Sequence, residues 1–486
     1  MGTLSKIVGG GTPRKAKLEH NYDEDGTAWI TPADLSGYTQ TYIKSGRRSL
    51  SEIGFKNSSA KIMPKGTVLL SSRAPVGYCA IAANDISTNQ GFKSILPSVA
   101  HEPRHMRYYL LASKRYLEQN ASGTTFSELS GASVKSLLFP IAPLAEQERI
   151  VDKIDKLFSS IEAGERAIAQ ARAGVARYRK AILKAAVTGE LTADWRDENP
   201  TTESAKDLLA RILTARYEAW EKSELAKLDA KGKARPETEK QWEKFRGRYK
   251  APVEPEADSL SELPDGWIGS FFHVVGNVSG GLTKNKSRRE IQTKRPFLRV
   301  ANVYANRFEL DEVHEIGVKN SELDRVELID GDILVVEGNG SESQIGRAAV
   351  WRSQVQGCVH QNHLIKIRPF VGHSDYYMMW LSSLYGRDEI KKVASSSSGL
   401  FTLSISKISG IRLPIPSEEE QAEIVSRVEE SLSKADAVEA TLDSQSRAAK
   451  ALKQAILKTA FEGRLVPQNP NDEPASELLK RIKAAS

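Results

Sequence analysis

Basic and amide side chains cluster in glycine-rich stretches of the sequence, within 1–140 and 263–412, where they could contact a polyanion. Arginine and lysine suit phosphates and guanine edges, while asparagine and glutamine suit adenine edges. For each such residue the alternative is a solvated surface, and for His360 it is a strand residue satisfied within the fold. The residues predicted to contact nucleic acid are Thr12, Arg14, Lys15, Lys17, Arg47, Arg48, Ser72, Arg73, Asn89, Gln90, Lys284, Asn285, Lys286, Arg288, Arg289, Asn302, Asn339, His360 and Gln361.

The sequence lacks the patterns that mark several kinds of catalytic site. It has no GxxxxGK[ST] phosphate loop, no HExxH, no paired CxxC and no GxSxG. Its two cysteines, Cys79 and Cys358, cannot form a disulfide framework or a four-thiolate zinc site. We therefore expect a recognition scaffold without catalytic residues, metal or cofactor of its own.

Composition places the chain among ordinary globular proteins. It has 486 residues, 40% of them hydrophobic and 27% charged, and its formal net charge of +7 permits nucleic-acid binding without establishing it. The length predicts two to four domains. No apolar run approaches the roughly 20 residues of a membrane span, and the N-terminus has no apolar stretch typical of a secretory signal. We therefore expect a cytoplasmic protein.

An internal repeat organises these regions. The word EQERIV at 146–151 recurs as EQAEIV at 420–425, an offset of 420 − 146 = 274, and AILK at 181–184 recurs at 455–458 with the same offset. Further on, the offset falls to 477 − 207 = 270. The segments upstream resemble each other only weakly, and we align Asn89-Gln90 with His360-Gln361 there. The pattern predicts a tandem repeat of a variable region followed by a similar helix.

The similar segments carry apolar residues every seven positions, which favours coiled-coil packing of two long helices. Proline and acidic residues at 143–148 and 416–420 predict where these helices begin, and Gly189 and Gly463 predict where they end. The alternative is two unrelated amphipathic helices, each packed on its own domain. The ten predicted scaffold residues are Ile154, Ile161, Ile168, Val175, Ile182, Val428, Ala435, Leu442, Ala449 and Ile456.

Both variable regions have the pattern of α+β domains. Strands are expected at 66–70, 331–336, 348–351 and 363–367, and amphipathic helices near 105–119 and 375–394. We divide the chain into a first recognition domain (1–142), a first long helix (143–190), a charged helical connector and linker (191–262), a second recognition domain (263–415), a second long helix (416–463) and a C-terminal tail (464–486).

PLAEQERIV at 143–151 and AILKAAVTGEL at 181–191, each with its second-copy equivalent, and LPDGW at 263–267 resemble the specificity subunits of type I restriction-modification systems. The resemblance covers essentially the whole chain. It implies an α+β fold with two α/β target-recognition domains separated by an antiparallel pair of long coiled-coil helices, related by a pseudo-two-fold axis.

The resemblance also implies a division of labour. Each domain reads one half of a bipartite site in double-stranded DNA, and the helices set the spacer. Two modification subunits carry S-adenosylmethionine and the methyltransferase chemistry, and restriction subunits use ATP and Mg²⁺. The chain itself is then not a catalyst. The competing hypothesis is a structural coiled-coil adaptor without DNA specificity.

One departure from the repeat concerns the first copy. LPDGW opens the second domain at 263–267, but the first domain has no counterpart to this word. We therefore expect the first domain to lack an edge segment that the second possesses.

Overall fold

The structure is a computed structural model that describes residues 1–14, 19–73, 75–122, 127–200, 203–253, 263–342, 344–397 and 400–485. The α-helices of these residues, in chain order, are α1 (Glu52–Lys56), α2 (Pro103–Ala112), α3 (Lys114–Gln119), α4 (Gly131–Ser136), α5 (Leu144–Thr188), α6 (Ala193–Glu198), α7 (Ala205–Ala230), α8 (Glu239–Arg246), α9 (Phe272–Val275), α10 (Asn320–Val326), α11 (Ser374–Ser382), α12 (Leu384–Val393), α13 (Ile405–Ser409), α14 (Glu418–Phe461) and α15 (Ala475–Ala485).

The strands are, in chain order, β1 (Ile7–Gly9), β2 (Tyr22–Ile30), β3 (Tyr42–Ile43), β4 (Arg48–Leu50), β5 (Val68–Leu70), β6 (Cys79–Ala82), β7 (Ser87–Thr88), β8 (Lys93–Ile95), β9 (Ile268–Phe271), β10 (Gly276–Gly280), β11 (Lys294–Leu298), β12 (Val303–Tyr304), β13 (Arg307–Phe308), β14 (His314–Gly317), β15 (Ile333–Val336), β16 (Gly338–Asn339), β17 (Ala348–Val350), β18 (Val359–His360), β19 (Leu364–Pro369), β20 (Ser395–Ser397), β21 (Leu400–Thr402) and β22 (Arg412–Ile415).

The two long helices begin and end where the residue pattern predicts. Helix α5, of 45 residues, starts directly after Pro143, whose fixed φ and missing N–H suit a helix start. It ends before Gly189, whose φ of 76° stops the helix without the steric cost that a side chain would bring. Helix α14, of 44 residues, ends just before Gly463, which has a φ of 72°.

The chain forms two compact units, and the division falls inside both long helices. Unit 1 contains Met1–Ala171 and Thr441–Ser486, and unit 2 contains Arg172–Ala440. The six-segment domain division from the sequence treats each helix as a separate block and stays a prediction.

Unit 1 pairs the first part of α5 with the last part of α14. Buried Ile154 shares a core with Ile456 and Leu457. The Glu165 carboxylate lies 2.7 Å from the ammonium of Lys453. Earlier on α5, Arg149 pairs at 2.6 Å with Asp472, which lies beyond the end of α14. As residue numbers increase along α5, the numbers of their partners decrease. The pairing of α5 with α14 is therefore antiparallel.

Unit 2 pairs the last part of α5 with the first part of α14. Arg179 of α5 forms ion pairs with Asp436 and with Glu439, the latter at 2.9 Å. Arg427 pairs at 2.7 Å with Asp194, which follows α5. The order is again antiparallel. The alternative that each helix packs only on its own domain is therefore wrong.

The ten heptad positions form the inward side of these pairs. None of them is exposed: Ile154, Val428, Ala435, Leu442 and Ile456 are buried, and Ile161, Ile168, Val175, Ile182 and Ala449 are half-buried. The neighbouring apolar positions Tyr178, Val438 and Leu452 are 44%, 46% and 51% exposed. The apolar seam between the helices is therefore narrow, about one residue per heptad on each helix.

The two units share two sheets. The order β1-β8-β5-β6 within the five-stranded sheet of unit 1 corresponds to the four-stranded order β10-β19-β15-β17 in unit 2, and β4-β2-β7 corresponds to β14-β11-β18. Each of these last two sheets combines one antiparallel pair with one parallel pair, β2 with β7 and β11 with β18. These matches confirm the tandem repeat and the α+β class.

Local turn chemistry explains where β5 and β15 start. Gly66 and Gly331, with φ of 86° and 85°, turn the chain before β5 and β15 as expected. The two amphipathic helices predicted near 105–119 and 375–394 are each broken in two, at Ser113 and Ser383. At Ser383 the reason is visible, because its hydroxyl accepts the Gly386 N–H at 3.1 Å and begins a second helix.

The connector and the C-terminal segment each contribute a helix that packs into the core of one unit. Leu208 and Ile212 of α7 are fully buried in the core of unit 2. Leu478 and Ile482 of α15 pack with Leu4 in unit 1. Within the described part of the chain, no helix is long and apolar enough to cross a membrane.

The expected difference at the domain edge is present. In unit 2, β9 pairs with β22 over four residues. At 138–141, the positions in the first copy that correspond to β22, the described residues form no strand.

Burial along α14 predicts very different costs for two identical substitutions. Leu457→Ala removes a side chain that is 2% exposed and should lower the free energy of unfolding by about 2–5 kcal/mol. Leu452→Ala, at a position 51% exposed on the same helix, should cost less than about 1 kcal/mol. Urea unfolding followed by circular dichroism measures both. Equal costs would contradict the packing of α14 against α5 in unit 1.

Candidate nucleic-acid interface

In unit 1, a glycine loop crosses the end of strand β7. The Gly11 N–H donates to the Thr88 carbonyl oxygen at 2.9 Å, and buried Trp29 donates its indole N–H to the Gly11 carbonyl at 3.0 Å. A Cβ atom at Gly10 would overlap the carbonyl oxygens of Thr88 and Asn89. The loop can therefore pass this close to the strand end only because residue 10 is glycine.

Unit 2 repeats the arrangement at the end of strand β18. The Leu282 N–H donates to the His360 carbonyl oxygen at 2.8 Å. A Cβ atom at Gly281 would overlap the carbonyl oxygens of His360 and Gln361. Gly281 is thus the counterpart of Gly10, and each unit builds one strand-end loop on a glycine.

Strand register corrects the predicted alignment of the two loops. The Asn89 N–H donates to the Ile30 carbonyl at 2.9 Å, and the Gln361 N–H donates to the Leu298 carbonyl at 2.9 Å. Since β2 and β11 are equivalent strands, Asn89 corresponds to Gln361 and Gln90 to Asn362. The alignment of Asn89-Gln90 with His360-Gln361 is wrong by one residue.

The loop of unit 1 presents polar side chains to solvent. Arg14 and Gln90 are exposed, and Thr12 is half-buried with its hydroxyl hydrogen-bonded to the Gln90 side-chain oxygen. Lys15 and Lys17, also predicted to contact nucleic acid, lie outside the described residues. The described side chains are free to meet a phosphate or a base edge.

Arg47 and Arg48 are both exposed beside strand β4. The Arg47 guanidinium lies 3.7 Å from the carboxylate of Asp34, but 79% of its side chain remains accessible. The Arg48 guanidinium lies 4.8 Å from the centre of the Tyr22 ring. An exposed pair of this kind contributes little to stability, so both cations remain available to a ligand.

Two residues predicted as contacts, Ser72 and Asn89, hold the frame of unit 1. Ser72 is fully buried, and its backbone donates to Gly91 at 2.7 Å and accepts from Leu129 at 2.8 Å. The prediction that Ser72 contacts nucleic acid is wrong, because no surface of this side chain reaches solvent. Asn89 is half-buried and accepts the Gly91 N–H on its side-chain oxygen at 2.9 Å.

Arg73 belongs to a three-residue charge cluster that sequence reasoning missed. The Glu128 carboxylate lies 3.7 Å from the Arg73 guanidinium and 3.4 Å from the Lys93 ammonium. All three side chains remain partly accessible, between 19% and 39%. No local motif marks Glu128 or Lys93, because the fold alone brings them to Arg73.

Unit 2 has the same backbone at this place with different side chains. The Leu129 N–H donates to Ser72, and in unit 2 the Leu403 N–H donates to the Glu337 carbonyl at 2.7 Å. Gly338 then pairs with Thr402 across the strands, where unit 1 bridges Arg73 and Glu128. The two strand ends therefore share a frame but offer different chemistry.

The second loop is basic. Lys284, Asn285, Lys286 and Arg289 are all exposed. The Asn285 side-chain oxygen accepts the Arg288 N–H at 3.2 Å, which begins a 3-10 turn over Lys286–Arg289. This turn holds Lys286 and Arg289 in solvent, and exposed Lys284 lies two residues before it.

Arg288 and Asn302 both hold the fold. The prediction that Asn302 contacts nucleic acid is wrong because the residue is buried, whereas the same prediction for half-buried Arg288 stays a prediction. Arg288 binds the carboxylate of Glu322 through two hydrogen bonds of 2.9 and 2.8 Å, which lower the pKa of that carboxyl to about 2. Asn302 is 4% exposed and donates to the carbonyls of Glu309 and Glu312 at 2.9 and 3.0 Å. Both N–H groups of the Asn302 side chain are therefore used within the fold.

His360 is also interior, so its prediction as a contact is wrong. It is fully buried, and its Nδ1–H donates to the Val326 carbonyl at 3.0 Å. Burial, reinforced by the charge of Lys366, lowers the pKa of His360 to about 3. The imidazole is therefore neutral at physiological pH. His360 is a strand residue held within the fold, as the alternative interpretation expected.

Two further predicted residues lie near this strand end. Gln361 is half-buried, and its side-chain oxygen accepts the Val300 N–H at 3.3 Å, which leaves its amide N–H₂ as the group that could reach a base. Asn339 lies in β16, with its backbone opposite Phe401 of β21.

Comparison with known proteins gives a consistent result. Residues 1–171 match the family model described as a type I restriction modification DNA specificity domain. The MjaIX specificity subunit of Methanocaldococcus jannaschii, a type I restriction enzyme component, is 39% identical over 33% of this chain, and the match spans only 37% of that relative. The StySPI specificity subunit of Salmonella potsdam is 23% identical over 99% of this chain and 93% of its own.

The fold has a solved counterpart. A structure from work on complex assembly and conformational transition of the type I R-M system superposes with a TM-score of 0.61 and 17% identity, over 96% of this chain and 97% of that one. At this identity the similarity concerns the fold alone.

The buried state of His360 predicts a pH dependence. His360→Asn keeps an N–H near the position of Nδ1 but cannot be protonated. As the pH falls below the usual histidine pKa of 6.5, the unfolded wild-type chain binds this proton, whereas the folded chain does so only near pH 3. The free energy of unfolding should therefore fall more steeply for wild type than for the variant between pH 6.5 and 4. Chemical unfolding at several pH values tests this, and parallel pH profiles would contradict it.

Proposed function

We propose that the chain is a specificity subunit of a type I restriction-modification system and that it selects the DNA sequence on which such a complex acts. Its similarity to the family model and to the specificity subunits compared above supports this proposal. Each unit recognises one half of a bipartite site in double-stranded DNA. The observation that carries the proposal is the pair of equivalent strand-end loops, each built on a glycine and each presenting exposed polar and basic side chains.

We propose that the paired helices fix the distance between the half-sites. A helix of 45 residues is about 68 Å long at 1.5 Å per residue, or roughly two turns of DNA at ~34 Å each. The antiparallel ion pairs within each unit support this role, because they oppose sliding of one helix along the other.

The remaining chemistry belongs, in this proposal, to other chains. Two modification subunits bring S-adenosylmethionine and methylate the site, and restriction subunits bring ATP and Mg²⁺ and cleave. This chain contributes recognition and no catalytic group, and it acts in the cytoplasm, where DNA is accessible. The comparisons favour this function over a structural adaptor, since the matched family is described by DNA specificity.

Methylome sequencing of cells that express the chain with its cognate modification subunit tests the proposal. We expect methylation at one bipartite sequence, and none when the chain is expressed alone. Replacing residues 1–140 with the domain of another family member should change one half-site only. Methylation without a bipartite sequence, or an exchange that alters both half-sites, would favour the adaptor alternative.

The charge cluster of unit 1 yields a sharper prediction. Glu128→Gln removes the carboxylate that holds Arg73 and Lys93, and should lower base discrimination at one half-site by about tenfold while leaving the other half-site unchanged. Glu118→Gln, the same change on α3, serves as the control. Methylation of a randomised target library measures both, and an unchanged preference for Glu128→Gln would remove the cluster from the recognition surface.

A further inference from the structure

The connector of unit 2 carries a concentration of cations that recognition by the loops does not use. The segment KFRGRYK at 244–250 contains Lys244, Arg246, Arg248 and Lys250 and no acidic residue. It covers the end of α8 and the turn after it. Aromatic residues alternate with these cations, a pattern that recurs in proteins that bind nucleic acids.

An aromatic cluster fixes this segment against α7. The ring of Trp220 lies 5.4 Å from that of Phe245 and 5.2 Å from that of Tyr249, measured between ring centres. Tyr217 meets Tyr249 edge to face at 5.1 Å. The two helices and the following turn are thereby held as one hairpin rather than as a loose linker.

Arg216 ties the hairpin to the sheets of unit 2. Its guanidinium donates to the Tyr249 hydroxyl at 2.7 Å and to the carbonyl of His273, in α9, at 3.3 Å. The cations after α8 therefore have a fixed position relative to the second recognition domain.

Arg248 and Lys250 project from this hairpin without an opposing charge. Both are exposed, and no carboxylate among the described residues forms an ion pair with either. Arg246 differs, since its guanidinium lies 3.9 Å from Glu221. Within the described ranges, the positive charge of Arg248 and Lys250 therefore has no carboxylate partner.

The same two residues border a groove of about 520 Å³ between the hairpin and the start of β10. Its charged lining consists of Arg216, Lys227, Arg248 and Lys250, with Glu224 as the acidic member. Glu224 is neutralised by Lys227 at 2.6 Å. The groove is therefore an open surface with a net positive charge.

We propose that this groove, with the edge formed by Arg248 and Lys250, binds the sugar-phosphate backbone of duplex DNA. The inference rests on the proposed function, which brings DNA to unit 2, and adds a contact that carries no sequence information. Unpaired arginine and lysine on a rigid support suit phosphates, which they neutralise with release of counterions.

The test compares two double variants of the full chain assembled with its modification subunits. Arg248→Gln with Lys250→Gln removes two charges from the groove, and Lys231→Gln with Lys233→Gln removes two from the exposed turn between α7 and α8. The dissociation constant is measured from low to physiological salt for a duplex carrying the recognised sequence and for one with scrambled half-sites. Thermal unfolding of each assembly verifies the fold.

The groove variant should bind both duplexes more weakly by the same factor, and the slope of log affinity against log salt should decrease by about two. The methylated sequence should stay the same, and the turn variant should match wild type. An unchanged slope, or a loss of assembly with the modification subunits in place of a loss of DNA affinity, would overturn the inference. Absence of sequence-specific binding by wild type would instead contradict the proposed function.

Discussion

The antiparallel contact between α5 and α14 is the interaction on which both units depend. Each unit has a core that includes segments of both helices. The paired segments lie more than 250 residues apart in the sequence, as Arg179 and Glu439 show. Gly164 and Gly174 weaken α5 by about 1 kcal/mol each relative to alanine, so this helix relies on its partner for stability. Ion pairs such as Glu165 with Lys453 fix the direction of the contact.

Long separation in sequence also shapes how the protein can fold. Unit 1 combines Met1–Ala171 with Thr441–Ser486, so its helix pair cannot close before α14 has been made. In the sequence, all of unit 2 (Arg172–Ala440) falls between these two segments. Closing such a large loop costs conformational entropy before the contacts of unit 1 can form. We therefore expect unit 1 to fold slowly.

The sequence could predict the helices because their determinants are local. A seven-residue apolar period, proline at the start and glycine at the end are visible without any fold. Residues on the recognition surface are harder to predict from the sequence. The sequence does not distinguish Arg288, which binds Glu322, from Arg289, which is exposed. Glu128 could not be found, since only the folded chain brings it to Arg73.

Each strand-end loop has a glycine whose backbone contact requires the absence of a side chain, whereas the other loop residues are not constrained by that contact. Gly10 and Gly281 pass against backbone carbonyls, so their contacts do not depend on which side chains follow. The side chains of these loops can therefore change while the backbone contacts below them stay the same. Under the proposed function, a few substitutions in the loops would then alter the recognised sequence without a change of fold.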